Sequence, residues 1–451
     1  MLHSIKLIGV GPADSLELDL QPRVNLIVGD NGLGKTFLLD VAWWILGRSW
    51  PSSYQALPRR GAREAKIEYV VDIKTAKKKH YSNGFDRPSQ QWKRSGGRPP
   101  SPGLVLYARA DGGFSIWDPA RNYWRDSPSL GVSDPTRPDA YHFTQREVWD
   151  GLRQGDRVLC NGLIADWVNW QAAQSPAFTQ LMASLGVLSE PGETLTAGVP
   201  VRISLDDARD IPTLRFRYGD VPIVHASAGV KRIVALAYLL VWAFDEHQKA
   251  CELLGRTAEQ SVIFLIDEIE AHLHPRWQRV VLPALLDVVD KLTPSGANVQ
   301  ILAASHAPLL LASLEPRFDP EQDRIIHFDV KHDKVIIDTS EFAQQGDATN
   351  WLVSEFFGLK QARSREAEEA IEAAEAWMRS DRHVLPAHLS TSEQIDAELR
   401  RTVPGHDPFW PRWILTRGAE PKRPARKGSS SAKKKGTKQS KKPGGARGRS
   451  R

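Results

Sequence analysis

Apolar and polar positions alternate with a period of two over Ser4 to Val10 and Ser15 to Leu20, which predicts two strands with one buried face. Val24 to Val28, Ser261 to Ile266 and Val299 to Ala304 are nearly continuous apolar runs, as in strands covered on both faces. Ala65 to Ile73 and Leu104 to Trp117, rich in β-branched and aromatic residues, also read as strands. Helical spacing follows Phe37 to Leu46, Asn161 to Leu188, Val230 to Ala250 and Pro275 to Leu292. Trp351 to Leu359 and Ser364 to Arg379 are further predicted helices. Hairpins are predicted around Gly219-Asp220 and around Lys331-His332-Asp333. Lys74 to Pro102, polar and containing Gly, Pro and Ser, reads as a long loop or hairpin tip. Strand and helix alternate through the second half, the pattern of a parallel sheet covered by helices. The fold class is α/β.

One stretch turns this pattern into chemistry. Gly29-Asp30-Asn31-Gly32-Leu33-Gly34-Lys35-Thr36 lies between the Val24 strand and the Phe37 helix, the setting of a P-loop. Its glycines let backbone N–H groups face a phosphate at a helix N-terminus. Lys35 would reach the β- and γ-phosphates of ATP, and the Thr36 hydroxyl would hold Mg²⁺. The apolar Ser261 strand ends in Asp267-Glu268, two carboxylates that are costly there unless a metal or donor meets them. Asp267 suits the metal, and Glu268 suits a general base for water. His306, just past the next strand, suits a γ-phosphate sensor, and Gln145 could contact Mg²⁺ or the water. Ser227-Ala228-Gly229 opens the long apolar helix, where small residues can receive a phosphate. Ser227 would equally serve there as a plain N-cap.

Composition narrows the setting. The 451 residues suffice for two or three subdomains, and no run of about 18 uncharged apolar residues could span a membrane. The N-terminus lacks a signal-peptide pattern, and two cysteines far apart exclude a disulfide framework, so a cytoplasmic chain is expected. The net charge of +6 is misleading: residues 421–451 hold 13 Lys/Arg and no Asp/Glu, which leaves residues 1–420 at −7. That tail cannot bury enough apolar surface to fold alone.

The order Gly-rich loop, Gln145, Ser227-Ala228-Gly229, Asp267-Glu268, His306 resembles the ABC-type ATPase heads of the SMC, RecF and overcoming-lysogenization-defect group. Ile266-Asp267-Glu268-Ile269-Glu270-Ala271-His272-Leu273-His274-Pro275-Arg276-Trp277-Gln278 resembles the bacterial relatives of the last of these. The resemblance covers residues 1–345. It implies a P-loop head with an antiparallel β subdomain, a helical insertion and a C-terminal helical extension. It also implies a head-to-head dimer, in which each P-loop and its ATP face the partner's Ser227 to Gly229 segment. The expected division is a first ATPase lobe at 1–145 with a basic insertion at 74–102, and a helical lid at 146–225. A second lobe at 226–345, a helical partner-docking region at 346–416 and a basic tail at 417–451 follow. Two departures matter. Ala228 and Val230 break the transporter form of the signature, and no coiled coil separates Gln145 from Ser227. Glu270, His272 and His274 have a spacing a metal could use, but the resemblance puts them in the dimer-contacting loop. No acidic cluster after His306 resembles a Toprim nuclease, so the chain is not expected to cut nucleic acid itself.

Two features point to DNA. Lys74 to Arg98 holds eight Lys/Arg against Asp86, with Tyr81, Phe85 and Trp92 interleaved, which suits a nucleic-acid backbone and stacked bases; a solvated hairpin tip has the same composition. The tail from Pro421 would bind polyanions without sequence preference. Gly346 to Leu352 and Asp407 to Trp413 resemble ATPases encoded beside an HNH endonuclease in retron and Septu-like antiphage modules. Trp410 and Trp413 would there form a docking peptide, or else tuck into the ATPase core. Three functions follow: a dimeric ATP-driven defence switch that controls a nuclease, a RecF-like repair clamp, or an ATP-gated scaffold with little turnover. Glu268 weighs against the third.

Overall fold

The computed structural model describes residues 1–419 apart from 74–75, 94–100, 123–125, 128–131, 134–137, 191, 294–296 and 339–341. The basic tail, from residue 420 on, and part of the basic insertion lie outside the described residues. Two compact units divide the chain, residues 1–362 and 363–451.

The first unit opens with strands β1 (Leu2–Ile8), β2 (Ser15–Asp19) and β3 (Val24–Gly29), then helix α1 (Lys35–Gly47). Next come β4 (Lys66–Ile73), β5 (Ala76–Asp86), β6 (Gln91–Trp92), β7 (Leu104–Ala108), β8 (Phe114–Trp117) and β9 (Tyr141–Phe143). Helices α2 (Gln145–Asp150), α3 (Leu163–Ala172) and α4 (Pro176–Leu188) precede a hairpin, β10 (Thr213–Phe216) and β11 (Gly219–Pro222). The long α5 (Ala228–Leu253) leads to β12 (Ser261–Asp267), α6 (Pro275–Gln278), α7 (Val281–Leu292), β13 (Asn298–Ala304) and α8 (Pro308–Leu314). β14 (Asp323–Lys331), β15 (Lys334–Asp338) and α9 (Ala348–Leu352) close it.

The central sheet runs β9-β8-β7-β12-β13-β3-β14-β15, and its five middle strands are parallel. β3 is buried at every position and β12 at all but its first, which is why both read as unbroken apolar runs. The parallel register sets Ala108, Asp267 and Ala304 along one edge, so the loops that follow these strands emerge together. Ligands in open α/β sheets bind at such an edge. One face of the sheet is covered by α1, whose Leu38, Leu39, Val41 and Trp43 are buried in a core shared with the antiparallel sheet β2-β1-β4-β5-β6. The other face packs against α3, α4, α5, α7 and α8, with Trp167, Tyr238 and Leu285 fully buried.

Several expectations change. Residues 76–86 form a strand paired along β4, so most of the described part of the basic insertion is sheet rather than loop. Its rings point inward: Tyr81 stacks on Tyr69 at 5.1 Å, and Trp92 donates from Nε1 to the Ala56 carbonyl at 2.8 Å. Phe85 meets Trp92 edge-on at 5.3 Å. All three rings serve the core, and none forms an exposed platform for bases. The 161–188 helix is two helices, separated where Gln174 adopts φ 49° and Ser175-Pro176 restarts the chain.

The second unit has α10 (Arg365–Met378), α11 (Ser392–Thr402) and α12 (Trp410–Ala419). Trp413 is fully buried, with Nε1 donating to Asp396 at 3.0 Å, and Trp410 packs in the same cluster. These tryptophans build the core of their own helical unit, so they are not an exposed docking peptide.

Candidate nucleotide site

The P-loop is shaped by its glycines. Gly29, Gly32 and Gly34 have φ of 137°, 82° and 99°, in the region that side chains resist. Gly34 is the N-cap of α1, with no side chain over the first-turn N–H groups, so these stay available to an anion. Lys35 is buried, and its Nζ donates to the loop's own carbonyls, Gly29 at 2.7 Å and Asp30 at 2.9 Å. Burial lowers its pKa, while Glu268, Asp267 and Asp30 pull the other way. A phosphate would replace those two carbonyls as the partner of the ammonium.

Thr36 Oγ1 donates to Asp267 Oδ2 at 2.8 Å across 231 residues of sequence. Asp267 is 1% exposed, and its Oδ1 has no hydrogen-bond partner among the described residues. Burial pushes its pKa up to about 6; Thr36 opposes this, and Glu268, Asp40 and Glu270 add to it. A buried carboxylate oxygen without a donor, next to a hydroxyl and a phosphate loop, is an oxygen set suited to a hard divalent cation. The residues present therefore fit Mg²⁺.

Glu268 follows at φ 48°, held by its own N–H on the Ala304 carbonyl at 3.0 Å. Arg232 of α5 reaches over the same turn. It donates to the carbonyls of Glu268 at 2.8 Å, Asp267 at 3.2 Å and Ala110 at 3.2 Å. His306 Nδ1 lies 3.7 Å from Glu268 Oε1 and 3.6 Å from Glu270 Oε1. Glu270, nearly fully buried, accepts from Ser305 Oγ at 2.7 Å and from the His306 N–H at 3.0 Å. It thus anchors the loop that presents His306. His272 and His274 are exposed, and among the described residues no group of three or more His, Cys, Asp or Glu side chains could hold a metal.

Six of the sequence-predicted elements converge, and two stand apart. The loop Gly29, Asp30, Asn31, Gly32, Leu33 and Gly34 meets Lys35, Thr36, Asp267, Glu268 and His306 at one edge. Gln145 is the first residue of α2, behind a Thr144–Glu147 capping box, and makes no hydrogen bond to Thr36 or Asp267. Ser227 caps α5 through the Val230 N–H at 3.4 Å, and no hydrogen bond joins Ser227, Ala228 or Gly229 to the P-loop of the same chain. Gly229 instead packs on the loop after β12, where a Cβ would stand 2.9 Å from the His272 carbonyl.

Arg232, Glu270, Ser305, Asp40 and Tyr107 were not assigned these parts from sequence. Asp40, four residues beyond Thr36 on α1, accepts from the Tyr107 hydroxyl at 3.0 Å; burial raises its pKa to about 6. That i+4 spacing was a readable signal. Tyr107 enters only through the register of β7 against β12.

This fold and these motifs define a P-loop nucleotide site at the edge of a parallel α/β sheet, similar to those of AAA- and ABC-type ATPases. A family model described as "AAA domain, putative AbiEii toxin, Type IV TA system" matches residues 204–312. The chain is 21% identical to the Septu protein PtuA of Bacillus thuringiensis over 82% of its own length and 87% of that protein's. It is 27% identical to the "Retron Vc95 probable ATPase" of Vibrio cholerae serotype O1 biovar El Tor over 31% of its length, spanning a quarter (25%) of that relative. A solved SMC head domain from Thermotoga maritima is similar over 76% of this chain and 99% of that one, at 13% identity and TM-score 0.37. Among the described residues no helix is long and apolar enough to cross a membrane.

Proposed function

We propose that the chain binds ATP with Mg²⁺ and hydrolyses it as a dimeric switch in bacterial antiphage defence, controlling an HNH-type nuclease and engaging DNA. The observation that carries the chemistry is the Thr36–Asp267 hydrogen bond with the unpartnered Asp267 Oδ1 beside it. Thr36 and Asp267 would hold Mg²⁺, with Gln145 as a third candidate ligand; the ion supplies charge neutralisation to the β- and γ-phosphates. The loop from Gly29 to Gly34 offers its N–H groups to the phosphates, and Lys35 turns from its own carbonyls to the γ-phosphate. Glu268 accepts the proton of the attacking water. His306, with Nδ1 toward the two glutamates, keeps Nε2 for a phosphoryl oxygen.

Ser227 and Ala228 are exposed and unconnected to their own P-loop, which supports a site completed by a second copy. What supports the defence setting is the similarity to Septu and retron proteins. For DNA the support is charge: Lys78 and Lys79 on β5, and Arg87 and Lys93 flanking β6, are exposed. The deciding experiment uses Glu268→Gln. Turnover should fall at least ~100-fold while ATP still binds, and light scattering should show a dimer that wild type forms only transiently. A strictly monomeric variant in saturating ATP would count against the dimeric switch.

A further inference from the structure

We propose that a cavity beside the nucleotide site binds a small amphipathic organic anion. The cavity holds about 410 Å³, within the range of small-molecule sites. Its walls are the Arg109 to Gly113 turn after β7, Gln145 and Trp149 of α2, one stripe of α5, and Ile269 and His272 of the loop after β12. The stripe is Ala228, Arg232, Ala235, Leu236 and Leu239, spaced 4, 3, 1 and 3 residues apart along a single helix face. Phe114, Leu236, Leu239 and Ile269 give the cavity an apolar floor.

The cations on the wall are unequal. Arg109 is committed to the Pro51 carbonyl at 2.7 Å, the Phe143 carbonyl at 3.0 Å and Asp111 Oδ1 at 3.2 Å. Arg232 is committed to its three carbonyls. Lys231 is half-buried, and its ammonium has no hydrogen-bond or ion-pair partner among the described residues. Asp111 is the one carboxylate on the wall, and it faces Arg109. An uncommitted ammonium beside an apolar floor is complementary to an anion that carries an apolar body. Inorganic phosphate would leave the floor wet, and a neutral hydrocarbon would leave Lys231 unpaired. Because Ile269 directly follows Glu268, and Arg232 on the cavity wall holds the Glu268 carbonyl, an occupant bears on the turn that carries Glu268 and so alters turnover. That consequence rests on the ATPase reading; the binding itself does not.

The test titrates the full chain, free of nucleotide, with 8-anilinonaphthalene-1-sulfonate by calorimetry and fluorescence. One saturable site per chain is expected, displaced by decanoate. Lys231→Met should weaken it about tenfold, the loss of one partly buried ion pair. Ala235→Phe, which fills the cavity, should abolish it while helical circular dichroism and ATP affinity stay at wild-type values. Leu236→Trp fills the same space and stands in should Ala235→Phe not fold. No saturable site, or unchanged binding in the filling variants, overturns the proposal. Equal affinity for the neutral N-phenyl-1-naphthylamine, or no effect of Lys231→Met, overturns the assignment to an anion.

Discussion

The P-loop and the loop after β12 meet at the same sheet edge and enter the same backbone region for different reasons. The P-loop reaches positive φ at Gly29, Gly32 and Gly34; the other loop reaches it at Glu268 (48°) and His272 (65°). A phosphate is met by backbone N–H groups, so the P-loop positions need no side chain and glycine serves at little steric cost. The second loop must turn and deliver a carboxylate from one residue. It therefore tolerates strain of about 1 kcal/mol at Glu268. Three carbonyl bonds from Arg232 to the surrounding turns hold that conformation in place. On the proposed reading, strain is accepted where a side chain would act on water and avoided where backbone N–H groups would meet a phosphate.

Substitution of the glycines gives the largest expected effect. Gly29→Ala would place a Cβ 2.3 Å from the Phe328 carbonyl at φ 137°. That oxygen belongs to the paired strand β14, so relief requires β3 and β14 to part. A loss of roughly 3 kcal/mol or more is expected, with ATP binding lost alongside. Calorimetric unfolding checks it. Gly32→Ala meets nothing within 4 Å, so only the strain of φ 82° remains, about 1 kcal/mol. Equal losses at the two positions would show that crowding is not what separates them.

Each loop also adjoins a carboxyl raised to about 6, the half-buried Asp40 on α1 and the buried Asp267 at the end of β12. The folded pKa of Asp40 lies above its ordinary 3.8, because burial outweighs the Tyr107 hydrogen bond and the Arg109 charge. Between these pH values the folded state holds more protons than the unfolded state. Stability from this group is thus complete below pH 3.8 and lost as pH rises through about 6. Asp40→Asn keeps an acceptor for Tyr107 and removes the charge. Relative to wild type it should gain about 1–2 kcal/mol at pH 7.5, allowing for partial screening, and nearly nothing at about pH 4. Urea unfolding at the two pH values measures the difference; a constant offset would refute the assignment to Asp40.

The parallel strands and both loops were legible because each carries a local signal: unbroken apolar runs, a glycine spacing, acids at a strand end. β5 was hidden because Lys77, Lys78 and Lys79 mask an alternation in which Tyr81 and Asn83 face inward. Composition outvoted periodicity there, and the same error made core rings look like stacking platforms. Trp410 and Trp413 misled in the opposite way. Their Pro-rich surroundings suggested exposure, yet α10 and α11 supply a core for them. Arg232, Ser305 and Glu270 sit within a few residues of recognised motifs, but their roles depend on which carbonyls and N–H groups the fold brings within hydrogen-bond reach, and no spacing encodes that.

The smallest expected effect is the most direct test of the comparison. Glu268→Gly removes the Cβ that resists φ 48° while leaving the Glu268 N–H bond to Ala304 and the Arg232 bond to the residue 268 carbonyl available. If the loop is strained for the sake of its carboxylate, this variant should be as stable as wild type or up to about 1 kcal/mol more stable, because relief of strain competes with the greater chain entropy of glycine when unfolded. It should bind ATP and fail to hydrolyse it. Glu268→Ala separates the two terms: it loses the carboxylate and keeps the Cβ, so the glycine variant should exceed it in stability. An alanine variant more stable than the glycine one would mean that Glu268 occupies its left-handed conformation without strain, and that the two loops differ only in sequence.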